Sequence, residues 1–419
     1  MKVLLSAYAC EPNKGSEPAV GWNWALALTR RGYDVHVITR SNNRVPIKQA
    51  HIQPDSRLTF HYCDLPRWLR FWKHWPGGIY VYYLLWQIGA YRKAKRLHAT
   101  ERFDIVQHIT FVSYRQPSFM GGLGVPFIFG PVGGGEAMPR QFRKSLPLPG
   151  KLAESLRDTG NRLIKFDPWM RSTYARAQVI ACTTGETLAA IPGRFRNKCI
   201  VQRAIGIDRP DCSAAAPEVQ RTSKPVQPRY LFVGRLLYWK GLHLVLRAME
   251  QVKAEIPDIK LRVIGEGKDR RWLEHVALCA HVADIVEWVA GKPHNEMDIE
   301  YRDSMGLIFP SLHDSGGMVV LEALAARLPV ICLDLGGPGS IVDSSCGFSL
   351  KVGSKSEREI IEELALSILR LAREKDLRNC LAQGARNRAR ELTWDEAVDG
   401  IYSEQLMADK IAEAYPINI

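Results

Sequence analysis

This 419-residue chain lacks paired cysteines, a long apolar run and any Asp-x-Asp motif, and its first half is poor in acidic residues. Nine cysteines are scattered singly, with no C-x-x-C, which excludes a disulfide framework and a structural zinc site and points to a reducing compartment. The apolar opening, Met1-Lys2-Val3-Leu4-Leu5-Ser6, is too short for the core of a secretory signal and reads as a first buried strand. Without an Asp-x-Asp pair there is no marked divalent-metal site, so neither a metal nor a cofactor is expected to be required.

Acids are scarce where cations are plentiful. Residues 1–205 carry a formal charge of +18 and the remainder −5, so the basicity of the whole chain, +13, belongs to the first half. Such a surface attracts polyanions, with nucleic acid, anionic lipid and phosphorylated substrates all as candidates. A chain this long exceeds the roughly 250–300 residues at which single cores stop growing, so two domains are expected.

Short apolar runs alternate with helical patterns in both halves. In the first, strands are expected at Val3–Tyr8, Val35–Thr39, Leu58–Tyr62, Phe103–Ile109, Phe127–Phe129, Val179–Cys182 and Cys199–Arg203, with helices at Glu17–Arg30 and Tyr80–Leu97. In the second, strands at Arg229–Gly234, Ile259–Gly265, Ile285–Val289, Leu307–Pro310 and Pro329–Leu333 lead into helices near Gly241, Lys268, Pro293 and Gly316. Alternation of this kind implies an α/β fold of two doubly wound parallel sheets, with ligands at the carboxyl ends of the strands, in the cleft between the domains. The expected divisions are an N-terminal domain over 1–207, a linker at 208–228 rich in Pro, Ala and Ser, a C-terminal domain over 229–392, and a terminal helix from 393 to 419 opened by Thr393 and Glu396.

Two segments concentrate chemistry. Gly234-Arg235-Leu236-Leu237-Tyr238-Trp239-Lys240-Gly241 follows a strand and opens a helix, which sets two cations beside free backbone N–H groups, an arrangement suited to a diphosphate. Two solvated loop cations are the alternative. Pro310-Ser311-Leu312-His313-Asp314-Ser315-Gly316-Gly317-Met318 through Glu322 puts one acid before a helix and another about two turns inside it. A Glu among apolar neighbours needs a partner, because an unpaired buried charge is costly. A helix cap at Asp314 and an internal ion pair at Glu322 is the other reading.

These spacings, with Gly265-Glu266-Gly267 between them, resemble glycosyltransferase family 4, retaining enzymes of the GT-B fold, over most of the chain. The resemblance implies that Arg235 and Lys240 hold the diphosphate of a UDP- or GDP-sugar, that Asp314 binds sugar hydroxyls and Glu322 the ribose, and that Gly265, Val289, Gly316, Gly317 and Met318 line the donor site. Asp314 and Ser315-Gly316-Gly317 stand where the family usually has Glu-Gly-Phe-Gly. The loop Ser6–Glu17 is similar to the family's glycine loop, with Gly15 near the donor phosphate; a plain surface loop is the alternative. His108, one position off the commonest family spacing, is the candidate beside the sugar, against a purely structural histidine. In Gly130-Pro131-Val132-Gly133-Gly134-Gly135-Glu136, Gly134 and Glu136 are candidates for acceptor contact, as in relatives that build polysaccharides, and a hinge is the other reading. The implied activity is transfer of a hexosyl group to a hydroxyl of a glycan or lipid-linked glycan. The terminal helix is expected to pack back on the N-terminal domain.

Aromatic and basic residues crowd positions 65–97, including Arg67, Trp68, Phe71, Trp72, Lys73, Trp75, Tyr80, Tyr82, Tyr83 and Trp86. That mixture suits an anionic bilayer surface, and it suits equally a domain core with solvated cations. Nothing in it resembles a nucleic-acid-binding motif, so no nucleic acid is expected as a partner. The expected location is cytoplasmic, with a peripheral place at the inner membrane face. An inverting GT-B transferase, a nucleotide-sugar epimerase and a non-catalytic peripheral membrane protein that binds sugar nucleotides remain as rivals.

Overall fold

The structure is a computed structural model that describes residues 1–50, 57–66, 68–70, 78–111, 113–208, 228–293 and 296–403. Most of the expected linker, the end of the terminal segment, and Arg67, Phe71, Trp72, Lys73 and Trp75 lie outside the described residues. The chain divides into two compact units. One holds Met1–Gly135, Gly160–Ile205 and the segment beginning at Trp394; the other holds Glu136–Thr159 and Gly206–Thr393.

In the first unit, strands β1 (Lys2–Ala7), β2 (Asp34–Arg40), β3 (Leu58–Cys63), β4 (Ile105–Ile109), β5 (Phe127–Val132), β6 (Val179–Cys182) and β7 (Cys199–Val201) form one sheet in the order β3-β2-β1-β4-β5-β6-β7. Every pairing in it is parallel. Parallel strands covered on both faces read as continuous apolar runs, and β1, β4, β5 and β6 are buried almost throughout. The order reverses between β1 and β4, which places a crevice at their carboxyl ends.

The second unit repeats this plan with β8 (Arg229–Val233), β9 (Lys260–Ile264), β10 (Val286–Val289), β11 (Gly306–Phe309), β12 (Val330–Leu333) and β13 (Gly347–Leu350), in the order β10-β9-β8-β11-β12-β13. All of its pairings are parallel as well, and the order reverses between β8 and β11. The two sequence segments rich in chemistry are the loops that leave these two strands.

One expected boundary differs in the structure. The N-terminal domain does not run unbroken to residue 207, because Glu136–Thr159 belongs to the second unit. The helix Leu148–Leu163 sets Gly150 so close to the Tyr238 ring that a Cβ would stand 3.2 Å from it, and it turns Glu154 toward Tyr238 and His313. Of the two readings left open for the aromatic stretch, the core reading fits the helix Gly78–Glu101. On the helix Gly78–Glu101, Tyr82, Tyr83, Trp86, Ala90 and Ala94 recur at helical spacing and are buried, with Tyr83 and Trp86 edge-on to Tyr8. Rings that bury about 150–250 Å² each are the substance of this core and are not open to a lipid surface. Trp68 and Tyr80 remain exposed.

The helix Trp394–Tyr402 lies in the first unit. Trp394, Val398, Ile401 and Tyr402 are buried, Arg30 and Arg31 each reach Asp395 at 2.9 Å, and the Tyr402 hydroxyl donates to Gln107 at 2.7 Å.

Candidate functional site

Glycines lock three loops together at the strand ends of the second unit. Gly265 has φ +143°, and a Cβ there would collide with the carbonyl oxygen of Gly234; a Cβ on Gly267 would collide with that of Leu236. Leu236 N donates to Glu266 O at 2.9 Å, and Gly265 N to Val289 O at 3.0 Å. Gly241, at φ +75°, passes so close to Pro310 that a side chain is excluded, while Leu312 N donates to Trp239 O at 2.8 Å. The loops after β8, β9 and β11 therefore form one packed surface, because only glycine lets backbones approach this closely.

Charge is distributed unevenly over that surface. Arg235 is exposed, and among the described residues its guanidinium meets no carboxylate. Lys240 pairs through Nζ with Asp314 and lies 5.1 Å from the Phe309 ring centre. Both members of the pair are mostly enclosed, so the ion pair is screened less than one on the surface. Glu322 has the partner that its depth in a helix demands: the Tyr301 hydroxyl donates to its carboxylate at 2.6 Å. Burial and the nearby Glu322 charge push the Tyr301 phenol up, so it stays protonated and keeps donating. Gly317, at φ +125°, ends the loop, and Met318 opens the helix Met318–Ala325. Gly337 N donates to Asp314 O at 2.7 Å, and a Cβ on Gly337 would run into Gly316 O, which fixes the backbone on either side of Ser315.

Behind the charged loops lies a group that motif spacing does not reveal. Glu154 is 1% exposed, and its Oε1 accepts from the Tyr238 hydroxyl at 2.9 Å and sits 3.0 Å from His313 Nε2. The His313 ring stacks on Trp239, with centres 5.5 Å apart. Burial alone would raise the Glu154 carboxyl, but His313, Tyr238 and Arg157 outweigh it and hold the group below the usual carboxylate range. Tyr238 lies two residues before Lys240 and His313 one before Asp314, so one carboxylate ties both loops from below. Its second oxygen, Oε2, is buried without a partner among the described residues.

Glu136 enters the same unit. It is buried, its Cγ is 3.3 Å from the position a Cβ on Gly336 would take, and its carbonyl accepts from Arg157 at 2.7 Å. A Cβ on Gly336 would also strike Asp314 O, so the acceptor candidate Glu136 lies beside the loop that carries Asp314.

Residues 218–388 match the family described as glycosyl transferases group 1. The second unit carries a glycosyl transferases group 1 domain. An uncharacterized glycosyltransferase of Methanocaldococcus jannaschii is 28% identical over 171 residues, 41% of this chain and 46% of that protein. The chain thus spans less than half the length of that relative. Sucrose-phosphate synthase from Thermosynechococcus elongatus has a similar structure, with a TM-score of 0.61 at 16% identity, covering 98% of this chain and 99% of that one. Anabaena HepE, solved in complex with UDP and glucose, gives 0.58 at 14% identity over 98% and 99%. These likenesses show the GT-B fold of two Rossmann-like domains. Arg235, Lys240, Asp314 and Glu322 fall inside the group 1 domain, whereas Glu154 and Glu136 come from outside the matched segment and reach it only through folding.

The candidates in the first unit fare differently. His108, the candidate beside the sugar, is 1% exposed, with Nε2 2.7 Å from the Tyr83 hydroxyl, Nδ1 2.6 Å from Ser118 Oγ and Gln87 beside both nitrogens. Burial pushes its pKa down to about 3, so it is neutral and enclosed. Gly15 is exposed, with open space where a Cβ would stand; in this segment the steric demand falls on Gly21, where a Cβ would strike Ala9 O. Gly134 has φ +95°, and Gly135 lies against the backbone of Thr187, so the glycine run is packed and ends where the first unit gives way to Glu136. Among the described residues no group of three or more His, Cys, Asp or Glu is placed to hold a metal ion.

Proposed function

We propose that this chain is a retaining glycosyltransferase that moves a hexosyl group from a UDP- or GDP-sugar to a hydroxyl of a glycan or lipid-linked glycan, in the building of a cell-surface polysaccharide. The observation that carries this reading is the exposed, uncompensated Arg235 at the β8/β11 reversal, in one glycine-locked surface with the Lys240–Asp314 pair and Glu322. A diphosphate bound there meets the Arg235 guanidinium and draws Lys240 into a shared contact, while Glu322, oriented by Tyr301, accepts from ribose hydroxyls. Asp314 accepts from hydroxyls of the sugar.

As the glycosidic bond to the diphosphate breaks, charge grows on the leaving oxygen, and Arg235 and Lys240 stabilise it. The acceptor hydroxyl attacks from the same face and gives its proton to a diphosphate oxygen, which leaves the anomeric configuration unchanged. Gly15 remains the first unit's candidate for contact with a donor phosphate. Gly134 and Glu136 remain the candidates for acceptor contact.

The test is a melting-shift screen of UDP- and GDP-sugars, followed by nucleoside diphosphate release and the anomeric configuration of the product. One nucleotide series is expected to raise the melting temperature, and Lys240→Ala is expected to lower turnover by about a hundredfold or more with the fold retained. Near-normal turnover in Lys240→Ala would overturn the donor-site assignment, and an inverted product would overturn retention.

A further inference from the structure

The helix Leu148–Leu163 exposes the apolar residues it would ordinarily bury. Leu148, Leu152, Leu156 and Leu163 are 80%, 63%, 65% and 59% exposed. At 100° per residue these four fall within one narrow arc, while Gly150 and Glu154 occupy the opposite face and are buried. A run of leucines along one side of a helix, left open to water, marks an interaction surface.

Charge decides what that surface meets. Lys151 and Arg162 flank the leucine arc on one side, Lys165 follows in the next turn, and among the described residues none of the three makes an ion pair. The acids of the same segment are engaged elsewhere: Glu154 faces inward, Asp158 pairs with Arg143 at 2.6 Å, and Asp167 caps the following helix by accepting from Trp169 N at 2.8 Å. Phe166 and Trp169, just beyond the helix, are also exposed. A second copy of the chain would oppose these cations with like charge. An anionic lipid surface takes the leucines into its acyl boundary and the cations against its phosphates.

We infer that the helix Leu148–Leu163 is the element by which this protein rests on an anionic membrane, in place of the aromatic stretch at 65–97. Because Glu154 projects from the opposite face of the same helix to Tyr238 and His313, the membrane-bound element also supports the charged loops.

The experiment is co-sedimentation of the full chain with vesicles of phosphatidylcholine alone and of phosphatidylcholine with about one-third phosphatidylglycerol. Binding is expected to the anionic vesicles and to weaken as salt rises. The variant Leu152→Ser/Leu156→Ser/Leu163→Ser is expected to partition at least about tenfold less, with unchanged circular dichroism and melting, since the replaced groups are exposed. Lys151→Glu/Arg162→Glu is expected to abolish the preference for anionic lipid, and Tyr80→Ser/Ile88→Ser, on the helix Gly78–Glu101, to leave binding unchanged. Failure of the parent chain to bind anionic vesicles would overturn the inference, as would undiminished binding by the leucine variant or a loss confined to the Tyr80/Ile88 variant. A dimer in sedimentation velocity that the leucine variant abolishes would assign the stripe to self-association and overturn it as well.

Discussion

Glu154 and His108 are both polar and both enclosed, yet their surroundings give them different work. His108 is satisfied by neutral hydroxyl and amide partners, and burial keeps it uncharged. Glu154 has a phenol and an imidazole on one oxygen and none on the other, and it stays a carboxylate because those partners outweigh burial. Its folded-state value lies below that of the unfolded chain, so its contribution is complete above the unfolded value near about 4.3 and is lost as pH falls through the depressed folded value. Glu154→Gln is therefore expected to lower stability by about 1–3 kcal/mol at neutral pH, with the deficit shrinking in acid. Urea unfolding of both proteins at neutral and acid pH checks this; an equal deficit at both would show that the carboxylate charge is not what the site uses.

At the scale of elements, the loops that leave β8, β9 and β11 are set by where a side chain cannot fit. Gly265 directly follows β9 and Gly15 lies just before the helix Glu17–Arg30, but only Gly265 is required by its own backbone: it has positive φ and the Gly234 carbonyl fills its Cβ position. Gly265→Ala is expected to destabilise the second unit by more than about 1 kcal/mol, because strain and collision add. Gly15→Ala, with open space around it, is expected to leave melting unchanged and to lower turnover if a donor phosphate approaches that loop. Melting curves and steady-state rates of both variants separate the two roles. Unchanged turnover in Gly15→Ala would remove the loop from the reaction.

For the molecule as a whole, sequence order and structural unit do not coincide. Glu136–Thr159 lies in the N-terminal half yet belongs to the second unit, and Trp394–Tyr402 lies near the C-terminus yet belongs to the first. A chain ending at residue 393 is expected to lose protection in the first unit, since Trp394, Val398, Ile401 and Tyr402 would leave their burial sites and Arg30 and Arg31 would lose Asp395. Hydrogen exchange should rise in β1 and β2 and stay unchanged in β8 and β9. Equal loss in both sheets would contradict the division.

Periodicity made the parallel strands legible, because strands buried on both faces must be apolar throughout, and the glycine and charge pattern of 234–241 and 310–322 marked the loops that the structure packs together at the ends of β8 and β11. The helix Leu148–Leu163 was hidden because prolines and Gly150 crowd its start and its leucines point outward, where a core pattern has polar residues. Sequence by itself determined the α/β class and the two-sheet plan, and it singled out Arg235, Lys240, Asp314 and Glu322 as candidates. Only the tertiary structure decided that His108 is enclosed, that Tyr301 answers Glu322, and that Glu154 ties the two charged loops. Spacing along a chain records what one element needs of itself, whereas a partner that sits 84 residues away, as Tyr238 does from Glu154, exists only once the chain has folded.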